Sequence, residues 1–493
     1  AEGTIFTRAY SQGPSTSVSL PSMMTSKYSA QIPREASDYE RQPVKKSVVT
    51  MAEIFSRAGY RTGAVVSQSY FSRNRQMDQG FQSYNTEQLP YYHGKGTPSW
   101  DPEQPYPLVA AAKNFLGQSH GQPFLLWVHI FEPHSPWVQR RPPHSFGTSV
   151  ADLYDGELSF GQARAKEILD ELQAQGLASR TVVIFAADHG TPLTQIRHGC
   201  LGHNLFVENL HVPLIIRVPG LPHRRAKDPV ALLDILPTMV NLAQIEDNFD
   251  FEGISLVPSL MGQAEPDPGR IIYSENKPVG LSGCMLSSVI SHGSQLIKDH
   301  TSNSLLLFDL DKDPTEQHNL ASSRPGVARR LNKQLVASRE QASRPILGEE
   351  VRAAMVSSLP AWVLFNPTHL AGGIELLGYS VYPQRASRGE TVTMTTYFRA
   401  TRPVGQRYSL LAQFRSPFST LFEDAHEPVK GQFPTTRWPV GQIVRDIRVL
   451  KIKARDPVKA KILIGLTPVR DEAAEAAEAA EANTVFVGFL DVY

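Results

Sequence analysis

The sequence is poor in cysteine and has no charge imbalance. Only two of its 493 residues are cysteine, Cys200 and Cys284. Two cysteines so far apart are more often free thiols than a pair, so a disulfide-based scaffold is not expected. Lys and Arg number 49 against 48 Asp and Glu, a net charge of +1. Nucleic-acid binding needs a basic excess gathered on one face, so no nucleic-acid partner is expected.

Long apolar runs are missing as well. No segment approaches the roughly 20 apolar residues of a membrane-spanning helix, and the first residues do not resemble a signal peptide. Hydrophobic residues make up 41% and charged residues 20% of the chain, as in ordinary globular proteins. The length exceeds that of one compact core, which predicts two or three domains.

Strand-like and helix-like segments alternate up to about residue 245. Short apolar runs predict strands at 62–67, 124–130, 181–187 and 212–218. Apolar residues at three- and four-residue steps predict helices at 48–58, 155–175 and 234–243. The run 124–130 is apolar throughout, which is typical of a strand buried on both faces. Residues 1–250 therefore predict an α/β domain with a mainly parallel sheet sandwiched by helices.

The second half of the chain has a different pattern. Residues 251–343 predict a small antiparallel subdomain followed by a basic helix, and residues 344–360 a linker. Regular short strands separated by Gly, Pro and Asp turns predict an all-β sandwich over 361–493. The repeat EAAEAAEAAEA at 472–482 is a strong helix former, which we interpret as an exposed insertion between two strands.

Asp188 and His189 directly follow a predicted strand, with Gly190 allowing a tight exit. Ligands of open α/β sheets gather at the carboxyl ends of strands, and a carboxylate with an imidazole is a reasonable half of a divalent-metal site. Alone, the pair is equally compatible with a helix cap beside a surface imidazole.

Further histidines follow the ends of predicted strands. His198 and His203 lie in the loop after Asp188, and His134 comes just beyond the run 124–130. This concentration favours a site over scattered surface residues. His129 lies inside the apolar run and is interpreted as a core histidine.

Hydroxyl side chains are dense between Tyr10 and Ser22. Composition alone favours a simple loop or helix cap. The same hydroxyls near a helix N-terminus would also suit a nucleophile that faces an anionic ester.

In this order, the segments resemble the sulfatase family of the alkaline-phosphatase superfamily over roughly residues 1–321. The segments that carry the resemblance are FTRAYS (6–11), MAEIFSRAGY (51–60), PFLLWVHIFEPHSP (123–136), YDGE (154–157), ADHG (187–190), 208–213, LDILPT (233–238) and LFDLDKDPTEQHNL (307–320).

The resemblance implies a catalytic role for residues 1–250 and a metal site. Family residues aligned with Asp188 and His189 bind a divalent metal, which also contacts the nucleophile. Counted back from Met23-Met24-Thr25, the nucleophile position is Thr16, which joins the metal site. The implied cofactor is one divalent ion, which we expect to be Zn, Mn or Ca.

The remaining implied roles concern the substrate. His198 and His203 match family histidines that hold the ester oxygens or protonate the leaving group, and we take both as catalytic. His134 matches a further such histidine. We expect it to bind the substrate together with Ser17.

The nucleophile loop departs from the sulfatase pattern. Sulfatases have a cysteine that is oxidised to formylglycine, followed by Pro and Arg, where this chain has Thr16, Val18 and Leu20. Formylglycine cannot form from threonine. The local sequence instead resembles the threonine loop of phosphoethanolamine transferases, which favours phosphoryl over sulfuryl chemistry.

The family also opens with a strand ending in Asp that supplies further metal ligands, and this chain begins after that point. We therefore expect a longer natural protein, located in the periplasm or outside the cell, with a membrane anchor outside this chain. Residues 373–379, 388–392 and 438–441 resemble β-sandwiches of bacterial surface proteins, implying an accessory role such as glycan or partner binding.

The function implied is a metal-dependent enzyme that cleaves or transfers a phosphate or sulfate ester, of a lipid or a glycan, through Thr16. Two alternatives stay open. One is a sulfuric ester hydrolase. The other is an inactive sulfatase-fold protein that binds a cell-envelope partner through the sandwich.

Overall fold

A computed structural model gives the structure, with two compact units, residues 1–346 and 347–493. It describes residues 3–32, 44, 48–67, 70, 76–86, 106–119, 121–193, 204–227, 229–245, 249–263, 267, 269–276, 285–343, 351, 354–360, 363–387, 390–416, 420–428, 433–452, 458–469 and 483–492. The repeat at 472–482 and about half of the predicted linker 344–360 lie outside this range. Of the described part of that linker, Val351 packs in the core of the second unit and Met355–Val356 forms one of its strands.

The first unit contains α-helices and β-strands in alternation. Its helices are α1 (Thr16–Thr25), α2 (Met51–Arg57), α3 (Pro107–Gly117), α4 (Val150–Ala174), α5 (Val207–Leu210), α6 (Ile235–Leu242), α7 (Val257–Met261) and α8 (Pro325–Ala342). Its strands are β1 (Thr4–Tyr10), β2 (Arg61–Val66), β3 (Ser83–Asn85), β4 (Phe124–His129), β5 (Val183–Ala186), β6 (His211–Arg217), β7 (Arg224–Ala226), β8 (Val230–Ala231), β9 (Ile272–Glu275), β10 (Leu286–Ser291), β11 (Ser294–Asp299) and β12 (Leu305–Asp309).

The α/β part is built on two sheets. One has the order β5-β6-β1-β7, with β8 also paired to β1, and the other has the order β3-β2-β4. All pairs of the second sheet are parallel, as are β1 with β7 and β8, whereas β6 runs antiparallel to β1 and β5. Four of the six pairings are parallel, so the predicted α/β class with a mainly parallel sheet is confirmed.

The prediction that β4 is buried on both faces was wrong. Only Leu125 of this strand is buried, and β5 carries Phe185 with 43% of its surface exposed. Within the described residues β4 pairs with β2 alone and β5 with β6 alone. Each strand is therefore the edge of its sheet, which leaves apolar side chains half-exposed.

Two helices of this unit, α2 and α4, begin with a side-chain capping pair. The Thr50 side chain accepts the backbone N–H of Glu53, and the Glu53 carboxylate accepts that of Thr50, at the start of α2. Ser149 and Asp152 make the same reciprocal pair at the start of α4. Such pairs satisfy N–H groups that the first helical turn leaves unbonded.

The predicted antiparallel subdomain is present as the four-stranded sheet β12-β11-β10-β9, with α8 packed beside it. It is tied to the α/β part through Asp234, which is fully buried and accepts two hydrogen bonds of 2.6 Å from Arg270. Asp234 also accepts from the backbone N–H groups of Ala231 and Ile254. Within the described residues, no helix is both long and apolar enough to cross a membrane.

The second unit is a β-sandwich, as predicted. Its strands are β13 (Met355–Val356), β14 (Leu364–His369), β15 (Ile374–Tyr382), β16 (Arg385–Ala386), β17 (Thr391–Ala400), β18 (Tyr408–Arg415), β19 (Thr420–His426), β20 (Ile443–Lys451), β21 (Val458–Pro468) and β22 (Asn483–Val492). They form two five-stranded sheets, β13-β20-β17-β15-β14 and β16-β22-β21-β18-β19. One hydrophobic core lies between them.

A polar network links the two sheets. His426 on β19 contacts Asp446 on β20 at 2.9 Å and Asp424 at 3.1 Å, and Arg448 binds both aspartates. Burial alone would keep the imidazole neutral, but the hydrogen bond and charge of Asp446 outweigh it and raise the pKa of His426. Protonated His426 therefore helps to join the sheets.

Candidate active site

The site lies at the carboxyl ends of β1 and β5. After β1 the chain makes a short turn and enters α1 at Thr16, with Ser15 as the residue before the helix. After β5 the chain places Asp188 and His189 beside that helix start. A helix N-terminus carries a partial positive charge, so this edge favours an anionic ligand.

The Thr16 hydroxyl is held against His189. Thr16 Oγ1 lies 3.2 Å from His189 Nε2, and His189 Nδ1 lies 2.7 Å from the carbonyl oxygen of Gly190. A carbonyl can only accept, so the neutral ring carries its hydrogen on Nδ1. The lone pair of Nε2 therefore points to the Thr16 oxygen.

Asp188 completes this arrangement. Its Oδ2 accepts a hydrogen bond of 3.2 Å from Ser19 Oγ and lies 3.6 Å from His189 Nε2. Its side chain is 17% exposed. Burial raises the pKa of Asp188, but the neighbouring imidazoles of His189 and His129 and hydrogen bonds from Thr16 and Ser19 outweigh it and hold the pKa below its usual value. The carboxylate is thus ionised and directed toward the Thr16 hydroxyl.

Close backbone packing fixes both loops. Ser11 Oγ donates to the carbonyl oxygen of Asp188 at 2.6 Å, which ties the end of β1 to the end of β5. A β-carbon at Gly13 would overlap Val18, and one at Gly190 would overlap the backbone of Glu208. Both positions therefore require glycine, because the loops pass too near their neighbours for a side chain.

His134 lies in the exposed loop after β4. Its ring stacks on Phe131 at 4.3 Å, and its Nδ1 donates to the Ser135 carbonyl at 2.6 Å. The charges of Asp188 and His189 act on this ring, so all three side chains belong to one region. Nε2 of His134 is then the nitrogen left to meet a substrate.

A charged cluster holds the base of the His134 loop. Glu132 is buried and accepts from Tyr106 at 3.0 Å and from Arg140 at 3.3 Å, while Arg140 binds Glu157 at 2.5 Å. Glu157 also accepts the backbone N–H of Val138. Burial raises the pKa of Glu132. These bonds connect the loop to α4, so α4 supports the position of His134.

His129, interpreted as a core histidine, is the last residue of β4 and lies within electrostatic range of the site. Burial lowers its pKa to about 4, and the charges of Asp188, His189 and His134 act on it. It is neutral at pH 7.

Two predicted site residues, His198 and His203, lie outside the described residues, as do Cys200 and Cys284. Ser17 follows Thr16 in α1 and is 7% exposed, with its hydroxyl 3.1 Å from that of Ser15. The structure thus brings Thr16, Asp188, His189 and His134 into one region. The roles of all these residues remain predictions.

Donors for a metal ion are partly assembled. Asp188 Oδ2 and Thr16 Oγ1 both lie within 3.6 Å of His189 Nε2. This mixture of oxygen and nitrogen donors suits a divalent ion. Among the described residues, no three His, Cys, Asp or Glu side chains are grouped to hold a metal. The described donors therefore fit part of a coordination sphere.

Two family models match the chain. The sulfatase model matches residues 1–245, and the model of the C-terminal part of N-sulphoglucosamine sulphohydrolase matches residues 198–341. Together they cover the whole first unit up to α8.

Individual relatives match at low identity. Steryl-sulfatase of Rattus norvegicus is 24% identical over 256 residues, which cover 43% of this chain and 44% of that protein. The ulvan-active sulfatase of Formosa agariphila is 24% identical over 372 residues, covering 65% and 70%. This chain spans 40% and 51% of the length of two other curated sulfatases that it matches, from Mus musculus and Bos taurus.

Solved structures share the fold. The phosphonate monoester hydrolase of Agrobacterium radiobacter superimposes with a TM-score of 0.56 at 17% identity, covering 73% of this chain and 93% of that one. At this identity the likeness establishes the architecture of the chain and leaves its substrate open.

Proposed function

Because this chain belongs to the sulfatase family of the alkaline-phosphatase superfamily, we propose that it cleaves or transfers an anionic ester with Thr16 as the nucleophile. The family is one of ester-cleaving hydrolases. The observation that carries the proposal is the position of the Thr16 hydroxyl, at a helix N-terminus and 3.2 Å from His189 Nε2.

Asp188 and His189 would hold a divalent ion beside Thr16. Such an ion supplies positive charge that favours the deprotonated hydroxyl and offsets charge on the ester oxygens. The protein orients the pair in advance, since Gly190 fixes the ring of His189 and Ser19 fixes the carboxylate of Asp188. We keep Zn, Mn and Ca as the candidate ions.

The chemical step is a displacement at phosphorus or sulfur. The Thr16 hydroxyl gives its proton to solvent, Thr16 Oγ1 forms a bond to that atom, and the bond to the leaving alcohol breaks. His198 or His203 gives the departing oxygen its proton. His134 and Ser17 bind the ester oxygens. Water then hydrolyses the Thr16 ester, or an acceptor alcohol takes the group, so the reaction is hydrolysis or transfer.

Phosphoryl chemistry is favoured by the nucleophile itself. A threonine cannot become formylglycine, and it forms a phosphate ester that water or an alcohol can resolve. The relatives favour the second candidate, sulfuric ester hydrolysis, because rat steryl-sulfatase and the ulvan-active sulfatase are named for it. The latter also favours a glycan as the ester carrier.

An activity panel tests both candidates. The chain is assayed with each ion on bis(p-nitrophenyl) phosphate and on p-nitrophenyl sulfate, beside Thr16→Ala. Ser22→Ala is the matched control, because this buried hydroxyl of the same helix donates to Val18 at 2.8 Å. We expect phosphodiester turnover that Thr16→Ala abolishes and Ser22→Ala retains. Turnover that survives Thr16→Ala would remove Thr16 from the mechanism, and turnover of the sulfate alone would favour the second candidate.

A further inference from the structure

An exposed aromatic pair lies on the outer face of the second unit. Phe486 and Phe489 on β22 are 47% and 48% exposed, although large apolar side chains are usually buried. Their ring centroids are 5.1 Å apart with an interplanar angle of 65°. The two rings thus form one continuous apolar patch.

A β-bulge puts both rings on the same face. Side chains alternate along a strand, so residues three apart would normally point to opposite faces. The pairing of β21 with β22 shifts here, because Ile462 faces Gly488 whereas Leu463 faces Phe486, leaving Val487 as the extra residue. Bulges of this kind redirect side chains.

The bulge is fixed from the inside of the sandwich. Val487 packs against the core, and the Tyr379 hydroxyl of the opposite sheet donates to its carbonyl oxygen at 2.6 Å. The exposed pair is therefore a built feature of the fold, held by a hydrogen bond between the sheets.

Cationic side chains border the patch. Lys459 Nζ lies 4.8 Å from the centre of the Phe489 ring. Lys461 is the cross-strand partner of Phe489, and Arg415 on β18 is the next residue in the same row. Lys459 has Asp491 as its cross-strand partner. Phe489, Lys461 and Arg415 form one row across β22, β21 and β18.

We propose that this surface, defined by Phe486, Phe489, Lys459, Lys461 and Arg415, binds a sulfated or otherwise anionic glycan. The aliphatic C–H faces of sugar rings pack on aromatic rings, and the neighbouring cations pair with anionic substituents. Aromatic rings alone would suit an apolar partner, and cations alone any polyanion. Their combination in one row matches a ligand that alternates apolar ring faces with negative charge.

The proposal goes beyond ester cleavage, because it concerns binding by the second unit. Gel electrophoresis of the full chain in dextran sulfate and in unmodified dextran tests it, since the two polymers differ only in sulfation. We expect retardation by dextran sulfate alone, with the dissociation constant raised about tenfold or more in Phe486→Ala/Phe489→Ala, as for loss of an aromatic anchor. Lys461→Gln should weaken binding and reduce its salt dependence.

Matched controls separate binding at this surface from binding elsewhere on the chain. Tyr382→Ala removes an aromatic ring that is 79% exposed on the other sheet, and Lys451→Gln removes an exposed lysine of β20. Both should leave retardation unchanged, as should Asp188→Asn, because that residue serves the proposed ester chemistry. Equal retardation of the Phe486→Ala/Phe489→Ala variant and the parent chain would overturn the proposal. Binding to phosphatidylglycerol vesicles without binding to dextran sulfate would also overturn it, in favour of a membrane surface.

Discussion

The substitution Asp188→Asn offers the sharpest test of the metal site that does not need a substrate. A ligand that binds only the folded state stabilises it by about 2.7 kcal/mol at a free concentration of about 100 times its dissociation constant. For a unit of this size, roughly 2 °C of melting temperature accompanies each kcal/mol. Saturating Zn, Mn or Ca should therefore raise the melting temperature of the parent chain by about 5 °C.

The variant should lose this increase. Asparagine keeps an oxygen for the Ser19 hydrogen bond but lacks the negative charge that a divalent ion prefers. Without added metal we expect its stability to stay within about 1 kcal/mol of the parent chain, the typical net value of one hydrogen bond. Asp170→Asn, which alters an exposed ion pair with Lys166 on α4, is the matched control.

Differential scanning fluorimetry across a metal titration gives the answer. An equal metal-induced increase in Asp188→Asn and the parent chain would show that the ion binds elsewhere. If no ion raised the melting temperature of either protein, the described donors would not be a metal site at all.

Three further changes test the fold around these surfaces. The pKa of His426 is raised because the hydrogen bond and charge of its β20 aspartate outweigh burial. The stabilising contribution of His426 is therefore full below about pH 6.5 and is lost as pH rises through the folded pKa. The melting temperature of the sandwich should fall between about pH 6 and about pH 8 in the parent chain and stay constant in His426→Asn. Asp234→Ala leaves the buried guanidinium of Arg270 unpaired, which should cost about 3–5 kcal/mol in urea denaturation, and a cost near zero would contradict the assigned ion pair. Gly63→Ala would drive a methyl group into a phenylalanine ring of α3 and cost about 1–3 kcal/mol, whereas Gly326→Ala has open space and should be neutral.

Local patterns predicted the elements of this chain well. The run 212–218 is β6 to within one residue at each end. The amphipathic spacing at 155–175 matches the end of α4 to within one residue, whereas the helix begins five residues earlier, at Val150. Burial of β4 was mispredicted because it depends on how many strands pair with it, which apolar runs do not encode. The β-bulge at Val487 was likewise not predictable, since a register shift arises between strands.

The site prediction rests on residues that follow a strand in sequence. Asp188 and His189 were predicted because they come shortly after the strand that is β5, and the structure places Thr16 against His189 across a separation of more than 170 residues. The support of the His134 loop by Glu132, Arg140 and Glu157 depends on a tertiary contact with α4 that spacing does not reveal.

The most direct test of the central claim is mass spectrometry of the chain after rapid acid quenching during turnover of a phosphodiester. A covalent Thr16 intermediate predicts a phosphorylated peptide whose modified residue is Thr16, absent in Thr16→Ala and unchanged in Ser22→Ala. Turnover with no modified peptide, or with the phosphoryl group on another residue, would contradict nucleophilic attack by Thr16.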